Sequence, residues 1–214
     1  MNRSALPDVV LLHGLWMRGI VMAPLAARLK ARGFRCHLFN YPSRSETLGM
    51  HAARLRGFAR EVAQGAPVHL VGHSFGGLVA LAVLGGREPP PVAGVLMLGT
   101  PVRGCMAGLR LARAAPGRWM LGKSRAAWRE GGFAAWDGRA PLGIIAGSRP
   151  FGLGRVLGRL PGVNDGVVRL EETEIEGMSD RIVLPVGHTE LIFSRRVAKL
   201  AADFLAHGRF SRDA

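Results

Sequence analysis

Short apolar runs recur along the chain, and the segments between them carry apolar residues at helical spacing. Runs of about four to seven apolar residues bounded by glycine or proline predict strands that are buried on both faces. Segments in which leucine, valine or alanine recurs every three or four residues predict amphipathic helices. The predicted strands cover residues 9–12, 34–40, 68–71, 92–98, 142–147 and 181–186, and the principal helices cover 22–32, 46–63, 78–84 and 190–205.

The alternation of strands with helices indicates an α/β fold, a mainly parallel sheet with helices on both faces. The chain is long enough for one domain with a sizeable core, and 48% of its residues are hydrophobic, as in globular proteins. We therefore predict a single domain over residues 1–214. In such sheets, functional residues lie beyond the carboxyl ends of the strands.

The stretch 67–86 contains no charged residue and is the most informative part of the chain. It predicts a strand, then a Gly-x-Ser-x-Gly turn over residues 72–76, then a helix that ends at a glycine pair. A sharp strand-to-helix turn exposes the serine, Ser74, in a strained backbone, and the flanking glycines let strand and helix approach closely. A transmembrane helix is the competing interpretation of this uncharged stretch, but its five glycines disfavour it.

A serine nucleophile needs a base within hydrogen-bond reach, and the base needs an acid that orients it. Only two histidines follow Ser74 in the chain, His188 and His207. His188 directly follows the last predicted strand, so it should lie on the same edge of the sheet as Ser74. His207 lies past the last predicted helix, and we therefore predict His188 as the base.

The favoured acid is Asp165, which lies in an Asn-Asp-Gly turn after the strand 142–147, where a carboxylate can project from a loop. Asp180 and Asp137 each precede a strand and should lie at the opposite edge of the sheet. The acidic run 171–176 is the remaining alternative, although its residues are predicted to form a solvated strand face.

Residues 102–139 differ in composition from the rest of the chain. They include three of the four tryptophans, and between Arg103 and Arg129 there are seven basic residues and no acidic one. One interpretation is a helical cap over the site that also contacts lipid. The other is a pair of surface helices with solvated arginines, and both interpretations stay open.

The net charge of +14 comes mainly from arginine, which supplies 26 of the 29 basic residues. We interpret this arginine content as a general compositional bias rather than as a means of binding lipid head groups. Because the chain has no recognisable nucleic-acid-binding motif, we predict no nucleic-acid partner. Cys36 and Cys105 are predicted to be buried free thiols, as in a reducing compartment. Because no apolar leader precedes the first strand, we expect a cytoplasmic protein. Peripheral contact with the inner face of the membrane through residues 102–139 stays open as an addition to this expectation.

Five segments together resemble the α/β-hydrolase superfamily and, within it, small bacterial lipases and esterases. They are His13-Gly14, Gly72-His73-Ser74-Phe75-Gly76-Gly77, Leu98-Gly99-Thr100-Pro101, Asn164-Asp165-Gly166-Val167-Val168 and Val186-Gly187-His188. The resemblance implies the α/β-hydrolase fold and a serine hydrolase of carboxylic esters. Ser74 would be the nucleophile, His188 the general base and acid, and Asp165 its orienting partner. The backbone N–H groups of Leu15 and Phe75 would form the oxyanion hole.

Many bacterial lipases of this kind carry a calcium-binding Asp two residues after the catalytic histidine, where this chain has Glu190. We therefore expect no metal and no other cofactor. The expected substrate is a small acyl ester or a lipid. The same triad also serves thioesterases, amidases and acyltransferases, which stay open as alternatives. A further alternative is a basic, membrane-associated binding protein that keeps the fold without catalysis.

Overall fold

A computed structural model describes residues 7–129, 133, 135–151 and 160–212 of the chain. Six strands form a single sheet: β1 (Val9–Leu12), β2 (Cys36–Phe39), β3 (Val68–His73), β4 (Val92–Leu98), β5 (Leu142–Gly147) and β6 (Asp180–Leu184). Their order is β2-β1-β3-β4-β5-β6, and all neighbouring strands are parallel. The parallel α/β sheet expected from the sequence is therefore confirmed.

Eight α-helices are found among the described residues, and three short 3-10 helices accompany them. The α-helices are α1 (Ala23–Lys30), α2 (Leu48–Ala63), α3 (Phe75–Leu84), α4 (Met106–Leu111), α5 (Ala115–Leu121), α6 (Ala126–Arg129), α7 (Glu190–Phe193) and α8 (Arg195–His207). The 3-10 helices are Gly19–Met22, Gly122–Arg125 and Leu170–Thr173. None of the described helices combines the length and apolar character that crossing a membrane requires. The stretch 67–86 forms β3, a turn and α3, so its transmembrane interpretation is wrong.

The first strand shows how the sheet divides the core into two layers. Val10 and Leu12 belong to the apolar cluster that includes α2 and α3, whereas Val9 and Leu11 belong to the cluster that includes α1 and α8. All four side chains are fully buried. Since successive side chains of a strand point to opposite faces, both faces of the sheet are covered by helices. The strands therefore consist of consecutive apolar residues.

Two helix boundaries differ from the prediction because serine or threonine caps them. Thr47 is extended and its Oγ1 accepts a hydrogen bond from the backbone N–H of Met50, so α2 begins two residues later than predicted. The predicted helix 190–205 is split at Ser194, which has an extended backbone and accepts a hydrogen bond from the backbone N–H of Val197. Apolar spacing continues through this break, so periodicity alone did not indicate it.

The prediction that the acidic run 171–176 is a solvated strand face is wrong. Part of it lies in the 3-10 helix Leu170–Thr173, and Glu172 is buried. Glu172 Oε1 accepts a hydrogen bond of 2.8 Å from the backbone N–H of Met106, the first residue of α4, and the same carboxylate pairs with Arg169. A carboxylate satisfies an unpaired N–H group at a helix start. Glu172 therefore ties this short helix to α4.

Both cysteines are free thiols, as predicted, but they differ in burial. Cys105 is buried, and its Sγ accepts a hydrogen bond from the backbone N–H of Gly108 at the start of α4. Burial raises the pKa of Cys105 to about 12. Cys36 is only half-buried, contrary to the prediction, because β2 is an edge strand of the sheet.

Of the predicted cap 102–139, residues 130–132 and 134 lie outside the described residues.

His69 is an imidazole buried inside β3. It is 4% exposed and packs edge-on against Phe34. Burial disfavours the imidazolium and lowers the pKa of His69 to about 4. In the unfolded chain the pKa is about 6.5. The unfolded state therefore takes up this proton first, and the folded state loses stability as the pH falls from about 6.5 to about 4.

We expect the substitution His69→Leu to remove part of this pH dependence. The lowered pKa of His69 corresponds to about 3 kcal/mol of unfolding free energy between neutral pH and about pH 4. Urea unfolding of both proteins at about pH 7 and pH 4.5 measures the difference. His207→Leu, at the exposed end of α8, is the control for loss of a histidine outside the core. An equal loss of stability on acidification in wild type and His69→Leu would show that His69 is not the group responsible.

Candidate active site

Ser74 lies at the turn between β3 and α3. Its backbone has φ 53° and ψ −122°, a region that a residue with a β carbon rarely adopts. Two hydrogen bonds hold it there: its N–H donates to the carbonyl oxygen of Leu98 at 2.8 Å, and its own carbonyl accepts from the N–H of Gly77 at 3.0 Å. A strained serine between a strand and a helix is the geometry of a nucleophile elbow.

The glycines on either side of Ser74 are required by close backbone contacts. A β carbon at Gly72 would lie 2.5 Å from the backbone of Gly77, across the turn. A β carbon at Gly76 would lie 2.5 Å from the carbonyl oxygen of Leu12, at the end of β1. The start of α3 is therefore in direct contact with the neighbouring strand, which brings Ser74 close to the loop that follows β1.

We expect Gly76→Ala to destabilise the fold by about 2 kcal/mol or more, because the new methyl group overlaps backbone atoms that cannot move independently. Gly57→Ala, in the middle of α2, is the matched control. No atom lies within 4 Å of a β carbon at Gly57, so this substitution should raise stability by about 0.5–1 kcal/mol. Urea unfolding measures both. A Gly76→Ala protein as stable as wild type would contradict the contact between α3 and β1.

His188 and Asp165 meet in the loops beyond β5 and β6. His188 Nδ1 lies 2.7 Å from Asp165 Oδ2, and the backbone N–H of His188 donates to the carbonyl oxygen of Asp165 at 2.9 Å. An ionised carboxylate can only accept hydrogen bonds, so this contact assigns the proton of the neutral ring to Nδ1. Nε2 is then left with a lone pair that can accept a proton.

The Asp165 carboxylate is almost completely buried, yet it remains ionised. Burial alone raises the pKa of Asp165, but His188 and the backbone N–H groups of Val168 and Val167 outweigh it, and the pKa lies below its ordinary value. Those two N–H groups donate to Oδ1 at 2.7 and 2.9 Å respectively. The carboxylate is thus fixed by three hydrogen bonds, of which one goes to His188.

The other candidates for base and acid lie elsewhere. Asp180 begins β6, at the opposite end of the strands from Ser74, where it accepts from the backbone N–H of Phe210 and pairs with Arg212. Asp137 pairs with Arg139. His207 is exposed at the end of α8. Of the ionisable candidates weighed from the sequence, Asp165 and His188 are the two that the structure brings together.

A mostly apolar cavity of about 110 Å³ opens onto both Ser74 and His188. The loop after β1 forms one side of it with Leu15 and Trp16, and residues of α4, α5 and α6 form another. Trp128 of α6 is among these residues. Residues of the segment 102–139 thus form part of the cavity wall, and its role as a cap stays a prediction.

Trp119 of α5 lies on the surface of the segment 102–139. Its side chain is 72% exposed, and the guanidinium group of Arg44 lies 4.6 Å from the centre of its ring. Contact between this surface and lipid stays a prediction.

Leu15 and Phe75 are the two residues whose backbone N–H groups are predicted to form the oxyanion hole. Leu15 lines the cavity, and Phe75 is the residue after Ser74 and begins α3, although its side chain points into the core. Within the described part of the chain, neither N–H has a hydrogen-bond partner. The N–H of Trp16, by contrast, donates to Ser43 Oγ at 3.1 Å. Both groups are thus available to a developing negative charge.

The sequence did not indicate two side chains that support the site. His73 Nε2 donates to the carbonyl oxygen of His188 at 3.0 Å, and burial together with the nearby His188 lowers the pKa of His73 to about 3, so its ring is neutral. Tyr41 donates its hydroxyl to the carbonyl oxygen of His13 at 2.6 Å, at the start of the loop that contains Leu15. No sequence pattern indicates either contact. His73 occupies the second position of the Gly-x-Ser-x-Gly turn, which accepts many residue types, and Tyr41 is distant from His13 in the chain.

Glu190 occupies the position at which many bacterial lipases have a calcium ligand. Its Oε2 accepts from the backbone N–H of Gly187 at 3.1 Å, and the same carboxylate pairs with Arg149. Among the residues that the structure describes, no group of three or more His, Cys, Asp or Glu side chains is arranged to hold a metal ion. Glu190 acts here as a structural partner of the loop that holds His188.

Sequence comparison relates this chain to known proteins. A sequence profile described as "Alpha/beta hydrolase family" matches residues 9–169. The pimeloyl-[acyl-carrier protein] methyl ester esterase of Vibrio vulnificus is 41% identical over 76 residues, which are 35% of this chain. The matched segment spans 29% of the length of that relative.

Two solved structures illustrate the similarity of fold. The mature lipase BlEst2 of Bacillus licheniformis has a TM-score of 0.78 at 18% identity, covering 97% of this chain and 94% of its own. A thermophilic esterase from Thermogutta terrifontis has a TM-score of 0.68 at 16% identity, covering 94% of this chain and 90% of its own. At these identities, the likeness concerns the fold.

Proposed function

This chain belongs to the α/β hydrolase family, and on that basis we propose that it is a carboxylic ester hydrolase with Ser74, His188 and Asp165 as its triad. One observation carries the proposal: His188, which is hydrogen-bonded to Asp165, lines the same cavity as the strained Ser74. The neutral ring presents Nε2 as the acceptor, which is the protonation state that a general base requires.

In the proposed reaction, His188 Nε2 takes the proton from Ser74 Oγ as that oxygen attacks the ester carbonyl. The hydrogen bonds in the described residues include none between Ser74 and His188, and bonds of this kind often tighten only when substrate binds. Asp165 stabilises the imidazolium that forms. The N–H groups of Leu15 and Phe75 donate to the oxyanion, and the alcohol leaves with the proton from His188. Water, activated by His188 in the same way, then attacks the acyl-enzyme and releases the acid and free Ser74.

The cavity favours short acyl chains. Its volume of about 110 Å³ is below the roughly 300–1,000 Å³ typical of sites for larger ligands, and its apolar lining suits a hydrocarbon chain. The names of the compared proteins support an ester as the substrate, since they include a methyl ester esterase, an esterase and a lipase. We therefore favour an esterase over a lipase for long chains.

Hydrolysis of p-nitrophenyl esters from acetate to palmitate tests the proposal. We expect turnover with an optimum at short chains. The thioester and the anilide of the preferred acyl group, assayed in parallel, decide among the alternatives. Faster cleavage of the thioester would indicate a thioesterase, cleavage of the anilide an amidase, and transfer to an added alcohol an acyltransferase. Binding to vesicles with no turnover of any of these compounds would support the non-catalytic binding protein instead.

A further inference from the structure

A second and larger cleft lies beside the cavity of Ser74. It has a volume of about 780 Å³ and lies between α4 and the 3-10 helix Leu170–Thr173. Four arginines line it: Arg103, Arg110, Arg113 and Arg169. A cleft of this size can hold a substrate group, and its lining determines which chemical class of group that is.

The positive charge of this cleft is only partly neutralised by its own wall. Two carboxylates line it, those of Glu171 and Glu172, and both pair with Arg169. Both carboxylates of the wall are thus engaged by one of the four arginines. Arg103 contacts Glu174 at 3.5 Å between partly exposed groups, which is a weak interaction. Arg113 is exposed and forms no ion pair with any described residue.

The cleft and the cavity of Ser74 share part of their walls. Cys105 and Trp128 line both spaces. The Trp128 side chain is 5% exposed, and its Nε1–H, which is buried, has no hydrogen-bond partner among the described residues. The two spaces are therefore neighbours, and the Trp128 side chain forms part of the wall between them.

We propose that this cleft is a subsite for an anionic group of the substrate, and that the substrate is an ester bearing a carboxylate or phosphate on its acyl or its alcohol part. The inference rests on the proposed function of Ser74. The ester group lies at Ser74, the chain passes Trp128, and the anionic end lies between Arg103 and Arg113. Guanidinium groups bind carboxylate and phosphate with charge-assisted hydrogen bonds, and an excess of positive charge in a cleft attracts such groups from solution.

Matched pairs of soluble esters test this subsite. In the acyl arm, p-nitrophenyl monoesters of dicarboxylic acids with six or more carbons are compared with the esters of monocarboxylic acids of equal length. In the alcohol arm, hexanoyl glycerol 3-phosphate is compared with hexanoyl glycerol. We expect wild type to prefer the anionic ester at least tenfold in kcat/KM in one of the arms. The preference should weaken as NaCl is raised, because salt screens partly exposed charges.

Two double variants separate the cleft from the general basic charge. Arg103→Gln with Arg113→Gln should lower the preference about tenfold and leave the turnover of neutral esters unchanged, since neither residue lines the cavity of Ser74. Lys123→Gln with Arg125→Gln removes the same charge from exposed positions outside the cleft and should leave the preference intact. An equal effect of both double variants would attribute the preference to net charge and overturn the subsite.

The other outcomes are also decisive. Hydrolysis of neutral and anionic esters at equal rates would overturn the subsite while the proposed function stands. If wild type hydrolyses no ester, the proposed function fails, and calorimetry on Ser74→Ala decides the subsite separately. The titrant is the monomethyl ester of suberic acid, with methyl hexanoate as the neutral probe. Binding of the anionic probe that depends on Arg103 and Arg113 supports the subsite, and absence of binding overturns it.

Discussion

Replacing Ser74 with alanine should lower kcat for p-nitrophenyl esters by about 10⁴- to 10⁶-fold, because the loss of a triad nucleophile removes the whole acyl-enzyme route. The fold should persist. Alanine carries a β carbon like serine, so the elbow keeps its strained backbone, and no hydrogen bond that holds the turn comes from the hydroxyl group. Steady-state kinetics measures the loss, and circular dichroism with urea unfolding confirms that the protein is folded.

Two further serine variants sharpen this experiment. Ser45→Ala changes an exposed serine outside the site and should keep wild-type kcat. Ser74→Gly should be as inactive as Ser74→Ala but more stable by about 1 kcal/mol, because glycine adopts φ 53° without the cost of a β carbon. Substantial ester hydrolysis by Ser74→Ala would mean that another residue is the nucleophile. A Ser74→Gly protein less stable than Ser74→Ala would argue against a strained elbow.

The second large effect is expected for Asp165→Asn, which should lower kcat by about 10³- to 10⁴-fold. Oδ1 of residue 165 accepts from the N–H groups of Val167 and Val168, so the asparagine oxygen should keep that position. Its NH₂ group then faces His188 Nδ1, which must become the acceptor. The proton moves to Nε2, and His188 can no longer take a proton from Ser74. The loss should therefore appear in kcat more than in KM.

Asp180→Asn is the matched control, because Asp180 is the competing aspartate and the structure places it at the far end of β6, paired with Arg212. We expect its kcat to stay within about twofold of wild type, with about 1 kcal/mol lost from stability, because Asp180 also accepts from the backbone N–H of Phe210. The same buffer and the same acyl ester keep the two assays comparable. If Asp180→Asn were the variant that lost activity, the assignment of the orienting acid would be wrong.

Features encoded in adjacent residues could be predicted from the sequence. The strands β4 and β5 have the predicted bounds, because a run of apolar residues closed by proline or glycine leaves few other structures. The turn at Ser74 was likewise identifiable, since its glycines are required within a few residues of one another. The placement of Asp165 and His188 on the same edge of the sheet as Ser74 was predicted from their positions after predicted strands.

Features that depend on distant contacts could not be predicted. Glu172 looks like any residue of an acidic surface run, and it is buried only because α4, 66 residues earlier in the chain, offers it an unpaired N–H group. The same reason applies to His73, whose role depends on the carbonyl oxygen of His188, 115 residues away. The composition of residues 102–139 indicated a distinct segment, but not that Trp128 would line the cavity of Ser74.

The hydrogen bond between Glu172 and Met106 connects two parts of the site that would otherwise be independent. Glu172 follows Asp165 by seven residues, and Asp165 is fixed by the backbone of Val167 and Val168 in the same short segment. Displacement of α4 to admit a bulky substrate would either break this hydrogen bond or pull on the segment that aligns His188. Access to the cavity and alignment of the proton acceptor are therefore mechanically coupled, and a variant that loosens α4 should change both together.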